Sequence, residues 1–391
     1  MARHHTSSSA SISTTQGRLD PATARSRRKS APLQLARRVL TPQLARTTAG
    51  QRYQAPANQL GGRLHLHLNE NLLVSRPIPA ALLRVELEDL ARYPGGGARE
   101  LELAIAERFE LASERVYLGL GASALLNQIF AAFANCGAEA LLPSPTWSYY
   151  HTVMRACGID WRELPMRHRA RGFDYDADEL IAALVRRAPD LLLLTSPNNP
   201  TGTRLGYAEL LRIAHAAPES LVVIDEAYYG FAEDDAISPA TLLAEAPNVI
   251  LLRTFSKAFG LAGLRVGFAL AGSLGAALLE RQPVPFGVPA FAQRIAAHRL
   301  RDHEFLAEVR TVAQAARAAL ERGLAEQPGF TVYDSAANFV LVKVSHTSTT
   351  AARDHLRAHG YEVKRLDEDF LRVTLARPEI MRELARILLC A

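Results

Sequence analysis

Three apolar runs in this 391-residue chain end in side chains able to do chemistry. The run VVI stops at Asp225, with Glu226 and then Tyr228 behind it. LLLLTSP runs into Asn198-Asn199-Pro200-Thr201-Gly202. VILLR is followed by Thr254-Phe255-Ser256-Lys257, with Arg265 eight residues beyond the lysine. Alone, an aspartate at a strand end is most often a cap or a metal ligand, and Asn-Pro-Thr-Gly is most often a turn. Together, at the carboxyl ends of strands, the three sets outline a ligand crevice, because open α/β sheets bind ligands there. Lys257 carries the most weight. The chain writes its positive charge as 41 arginines against four lysines, Lys29, Lys257, Lys343 and Lys364. A lysine set between Phe255 and Phe259 in such a chain asks for a chemical reason.

The elements that must position these residues begin near residue 64. RVYLG (115–119), EALLP (139–143), DLLLLTSP (190–197), SLVVIDEAY (220–228), NVILLRTFS (248–256) and RVGFALA (265–271) read as strands. ASALLNQIFAAFA (122–134) and TWSYYHTVMRAC (146–157) read as amphipathic helices. Short continuous apolar runs separated by helical stretches specify an α/β fold, its mostly parallel sheet covered on both faces. Beyond a helical stretch over 290–326, the segments ANFVLVKV, YEVKRL and FLRVTLA alternate with helices and read as a smaller α+β domain. The expected organisation is therefore a basic tail over 1–60, a segment over 64–92 that joins the small domain, a large domain over 93–289, connecting helices over 290–326, and a small C-terminal domain over 327–391.

Composition excludes several classes. At 48% hydrophobic and 22% charged residues, the chain can bury a large core and is not disordered throughout. No run of 18 apolar residues is present, so no transmembrane helix is expected. Cys136, Cys157 and Cys390 are odd in number and widely spaced. They suit neither a disulfide framework nor a zinc site, so no metal is expected, and a reducing compartment, the cytoplasm, is. The net charge of +5 hides two opposite parts: residues 1–63 hold 11 Lys+Arg and one acid, Asp20, while the rest nets −5. The tail has 14 Ser/Thr in its first 50 residues and no apolar periodicity. It reads as a disordered extension or an upstream start, although an Arg- and Ser-rich, acid-poor start also resembles an organelle transit peptide. No aromatic or helix-turn-helix pattern accompanies its charge, so neither a nucleic-acid nor a membrane partner is expected.

The motif set as a whole resembles the fold-type I pyridoxal-phosphate enzymes of the class I/II aminotransferase group, over about residues 64–388. That resemblance implies a large domain with a mostly parallel seven-stranded sheet flanked by helices, plus a smaller α+β domain. It implies pyridoxal 5'-phosphate as cofactor, with Lys257 of TFSKAFGLAGLRVG forming the Schiff base. Asp225 would face the pyridine nitrogen and keep it protonated, so that the ring can accept electrons. Tyr228 and Asn199 would hydrogen-bond the ring 3-oxygen. The turn GLGAS (119–123) lies between a strand and a helix, so the N–H groups near Gly121, Ala122 and Ser123 would meet the cofactor phosphate at a helix N-terminus. Thr254, Ser256 and Arg265 would complete that shell. Trp147, in SPTWSYY, falls where the family stacks an aromatic ring on the pyridine.

Further segments resemble the histidinol-phosphate aminotransferase subfamily: LHLHLNENLL (64–73), RYPGGGARELELAIAERF (92–109), VPFGVPAFAQ (284–293) and ANFVLV (337–342). By that resemblance Tyr93 reaches the cofactor phosphate of the second subunit in a homodimer. Arg372 binds the acidic group of the substrate, with Lys364, Asn199 and Asn338 alongside. The implied reaction moves an amino group between 2-oxoglutarate or glutamate and an anionic amine or amino acid, as in amino-acid biosynthesis. This sequence departs from the subfamily at the substrate. Leu72 and Leu73 follow Asn-Glu-Asn, where Pro and an aromatic residue are usual. Lys364, beside Arg365, stands for an arginine, and only LDEDF separates that strand from Arg372. A lysine keeps the charge but loses the bidentate fork. Two other enzymes on the same scaffold therefore stay open, an amino-acid phosphate decarboxylase and a specialised-metabolism or aromatic aminotransferase. A ligand-sensing regulator would need a DNA-binding domain that the short tail does not supply.

Overall fold

The computed structural model describes residues 63–94, 99–233, 235–325 and 328–390, and the basic tail expected over residues 1–60 lies outside the described residues. Among the described residues the strands are, in chain order, β1 (Leu64–Leu66), β2 (Val116–Gly119), β3 (Glu139–Ser144), β4 (Asp160–Pro165), β5 (Arg167–Arg169), β6 (Gly172–Asp174), β7 (Leu191–Thr195), β8 (Leu221–Asp225), β9 (Val249–Thr254), β10 (Gly267–Ala271), β11 (Phe330–Val332), β12 (Phe339–Val344), β13 (Tyr361–Arg365) and β14 (Phe370–Thr374). Seven of them form the large sheet, in the order β2-β10-β9-β8-β7-β3-β4. β10 runs against both of its neighbours, and the remaining pairs are parallel.

Strands β7 to β10 are buried at every position. Successive side chains of a strand point to opposite faces. Leu192 and Leu194 pack into one apolar cluster, with Val222, Ile224 and Leu251, whereas Leu191 and Leu193 pack into another, with Val223, Ile250 and Leu252. Both faces are thus dry, which is why these strands read as continuous apolar runs rather than alternating ones. Their register sets Thr195 beside Asp225, and Asp225 beside Leu252, so the polar residues that end the runs converge at one rim.

The second sheet has the order β1-β13-β14-β12-β11. β1 enters it parallel to β13, so the residues just after β1 start from the small sheet's edge. The stretch expected to be helical over 290–326 is two helices, Ala290–Arg301 and His303–Leu324. Asp302 divides them: its carboxylate accepts from the Phe305 N–H at 3.0 Å, an N-cap that starts the second helix. Among the described residues no helix is long and apolar enough to cross a membrane.

Candidate active site

At the carboxyl end of β8, Asp225 is 4% exposed. Burial raises its pKa, because a carboxylate loses hydration there; two donors oppose that loss. The Tyr150 hydroxyl donates to Oδ2 at 2.7 Å, and the Ala227 N–H donates to Oδ1 at 2.9 Å. Tyr150 is itself buried, and its hydroxyl also lies 3.0 Å from Thr195 Oγ1 on β7. Burial, followed by the Asp225 charge, pushes the Tyr150 phenol well above its usual range, so it stays a donor. Tyr228, three residues past Asp225, accepts from Asn69 Nδ2 at 2.9 Å. Asn69 is tied in turn to Thr374 of β14 through its main-chain N–H and its side-chain oxygen.

Lys257 lies in the turn after β9. Phe255 and Phe259, 0% and 1% exposed with ring centroids 4.7 Å apart, seat the turn in the core. The lysine between them is partly buried, and its Nζ donates to the Leu68 carbonyl at 2.8 Å. Burial lowers its pKa to about 8, and the positive charge of Arg372 acts in the same direction. The amine is therefore far closer to its nucleophilic, neutral form at physiological pH than a solvated lysine is.

A second cluster surrounds the start of the helix Ala122–Ala132, which has no side-chain cap. Its Gly121 has φ +78, and a Cβ there would lie 2.6 Å from Arg265 Nη2, so only glycine lets the guanidinium approach the turn. Gly267 is equally confined: a Cβ would meet the Ala122 nitrogen at 2.3 Å. Arg265 Nη1 donates to Ser256 Oγ at 3.2 Å, and the Thr254 hydroxyl donates to the same oxygen at 3.0 Å. Uncapped helix N–H groups, two hydroxyls and one guanidinium make a donor set for a phosphate. Ser256 ties this set to Lys257, its chain neighbour.

His67, Trp147, Tyr150, Asn199, Asp225, Tyr228, Lys257, Lys364 and Arg372 are among the residues lining one cavity of about 660 Å³. In this lining Arg372 donates to Asn199 Oδ1 and to the His67 carbonyl, each at 2.6 Å. Lys364 pairs in register with Arg372 across β13 and β14, so the two side chains share a face. Arg365 also borders the cavity, but its Nε donates to Thr349 Oγ1 at 3.0 Å. The indole of Trp147 packs edge-on against Tyr150, at 5.4 Å between centroids.

Besides the phosphate set of Gly121, Ala122, Ser123, Thr254, Ser256 and Arg265, which lies outside this lining, the expected site residues Asn338 and Tyr93 do not line this cavity. Asn338 is 0% exposed, and its amide donates to the main-chain carbonyls of Asn69 and Glu70, at 3.2 and 2.9 Å. It props the Asn-Glu-Asn segment rather than facing a substrate. Tyr93 is 78% exposed and stacks on Phe286 at 4.7 Å. Conversely, Tyr150, Asn69 and His67 belong to the site and were not singled out from the sequence. Tyr150 stood three residues after Trp147 in a helix start; Asn69 and His67 stood inside LHLNENLL, whose partners lie in the last strands.

A planar ring carrying a phosphate and an aldehyde fits this donor set. The Gly121 turn with Arg265, Ser256 and Thr254 would hold the phosphate, Lys257 offers the amine, and Asp225 offers a buried negative charge. Comparisons with known proteins agree with that chemistry. The family model for aminotransferase class I and II matches residues 64–388. The histidinol-phosphate aminotransferase of Thermobifida fusca is 36% identical over 349 residues, covering 87% of this chain and 94% of the relative. The histidinol-phosphate aminotransferase 2 of Pseudomonas aeruginosa is 34% identical over 320 residues, covering 80% and 84%. Among solved structures, the histidinol-phosphate aminotransferase of Sinorhizobium meliloti in complex with pyridoxal-5'-phosphate superposes with a TM-score of 0.73 at 26% identity, covering 83% of this chain and 91% of that one.

Proposed function

The chain belongs to the class I and II aminotransferases, and on that premise we propose that it is a pyridoxal 5'-phosphate enzyme transferring the amino group of an anionic donor, L-histidinol phosphate first among candidates, to 2-oxoglutarate. The observation that carries the reading is the joining of Lys257, Asp225 and Arg372 in one cavity. The names of the relatives favour amino transfer over the decarboxylase alternative.

When bound, the cofactor supplies an aldehyde that condenses with amines and a ring that draws electrons from the substrate carbon. Everything else falls to the chain. Lys257, its pKa lowered by burial to about 8, is the nucleophile and the carrier that takes and returns the substrate proton at Nζ. Asp225 lines the cavity, and donation from Tyr150 and the Ala227 N–H favours its ionised form against the cost of burial. Tyr228, Asn69 and Asn199 line the same cavity as Lys257. Arg372, braced by Asn199 and the His67 carbonyl, receives the anionic end of the donor, with Lys364 beside it.

A homodimer is part of this proposal. Leu83, Leu87, Leu90, Tyr93 and Phe286 are 56–79% exposed, apolar area of the kind a second copy would cover. Mixing Tyr93→Phe with Lys257→Ala subunits should restore activity above either parent if sites are shared, and activity no higher than the parents would count against sharing. The three free cysteines, Cys136, Cys157 and Cys390, support the cytoplasm as its compartment.

Borohydride reduction and peptide mapping should place the pyridoxyl group on Lys257; label on Lys343 or Lys364 would overturn the assignment. For the substrate, kcat/KM should be compared for histidinol phosphate, phenylalanine, tyrosine and glutamate. A rank for histidinol phosphate below the aromatic amino acids would rule it out as the leading donor.

A further inference from the structure

We propose that His67 is a specificity-determining residue for the anionic end of the amino donor, completing with Lys364 and Arg372 a three-group reader that takes up a proton as a doubly charged anion docks. The proposal rests on the reading that Arg372 receives such an anion, and it adds a group to that site.

Sheet geometry brings the three together. β1 pairs with β13 so that His65 lies opposite Glu362 and Leu66 opposite Val363. Leu66 is 0% exposed and Val363 3%, so both turn to the core, and their chain neighbours turn to the other face. That other face carries His65 and His67 from the first strand and its extension, Glu362 and Lys364 from β13, and Arg372 from β14. His67, Lys364 and Arg372 line the cavity that holds Lys257.

His67 is 9% exposed, the Glu362 main chain favours its protonated form, and its Nδ1 is buried with no hydrogen-bond partner. The charged groups that face it are His65 from its own strand, Glu362 and Lys364 from β13, and Arg372 from β14. Burial first, and His65 next, hold it below the usual histidine range; Glu362 opposes them and Arg372 adds to them. The ring therefore rests neutral. A dianion arriving between Arg372 and Lys364 offsets their positive charge and attracts a proton to the ring, and Nδ1 has the lone pair to take it. A carboxylate, with half the charge, gains less. The third cation restores what the lysine at 364 lacks, since Lys364 offers a point charge where an arginine would offer a fork.

Inorganic sulfate is the probe, because it stays a dianion throughout the neutral range and only the protein titrates. On the holoenzyme, its inhibition constant against glutamate should tighten about fivefold or more between about pH 8 and about pH 6, and by less than about twofold in His67→Asn. Any contribution from Lys257 is common to both proteins and cancels in their ratio. Calorimetry of wild-type enzyme in two buffers of different ionisation heat should find about half a proton or more taken up per sulfate near neutral pH. His67→Gln is a second variant should the asparagine protein fold poorly. No proton uptake by the wild type, or the full pH slope in His67→Asn, overturns the role of His67. Arg372→Ala separates the two layers: if it relieves sulfate competition while His67→Asn keeps its slope, His67 alone is wrong. If sulfate competes undiminished in Arg372→Ala, the anion site itself is wrong.

Discussion

Across the cavity the rim of the large sheet faces the rim of the small one, and they are held in different ways. On the large-sheet side Asp225, Tyr150, Tyr228 and Phe255 are each at most 5% exposed. Their hydrogen bonds run from strand to helix to strand, as in Thr195–Tyr150–Asp225. On the small-sheet side Lys364 is exposed, Arg372 is half-buried, and one of the groups that braces Arg372 is a main-chain carbonyl. A buried, cross-bonded rim resists substitution, because each lost donor leaves a buried acceptor unpaired. An open rim braced partly by backbone can exchange one side chain for another at little cost to folding. Cofactor chemistry thus sits on the rigid rim, and substrate choice on the adjustable one.

Substitutions can break that contrast in order of effect. Lys257→Ala should lower turnover by about 10⁴-fold or more in the glutamate half-reaction, since the nucleophile and proton carrier are lost together. Arg372→Ala should cost about 1.5–3 kcal/mol, roughly ten- to a hundredfold in kcat/KM, for every anionic donor. It also removes a positive charge that depresses Lys257. The neutral amine of the apoenzyme grows in as pH rises through about 8, so the midpoint for cofactor capture, followed by absorbance, should move to higher pH in this variant. Tyr150→Phe takes a stabilising donor from Asp225 and lets its pKa rise further. The acidic limb of the pH–rate profile should shift upward and kcat fall about tenfold; an unmoved limb would mean that the two rims do not differ in this way. The smallest effect is expected of Lys364→Arg, a gain of about two- to threefold in kcat/KM for a phosphate donor and none for glutamate.

The rigid rim was the legible one. Asp225, Tyr228, Asn199 and Lys257 each stand at or just past the end of an apolar run, so type and position along a strand speak together. The strands were readable for the same reason: burial on both faces makes Leu191–Thr195 and Val249–Thr254 continuous apolar words. Tyr150 is not legible in the sequence, because a tyrosine at a helix start is ordinary until its hydroxyl meets a carboxylate. The motif around Asn338 places a residue near the site but does not encode which way its amide points, here toward the Asn69 and Glu70 carbonyls. His67 depends on two strands close to three hundred residues further along, Glu362 and Arg372, which no local pattern in LHLNENLL encodes. The break at Asp302 was likewise hidden, since helical composition runs through it and only the cap reveals it.

Asn69 takes its bonds from Thr374, 305 residues later in the chain. A ribosome releases residue 69 long before residue 374 exists, so the wall that Leu68 and Asn69 give the cavity cannot stand while the protein is being made. Contacts of such span form late, after local elements have condensed. The nascent chain can assemble β7, β8 and β9 and carry the Lys257 amine at their rim, but its crevice stays open on one side. Closing it, and with it the lasting retention of a small molecule, belongs to the finished polypeptide rather than to the growing one.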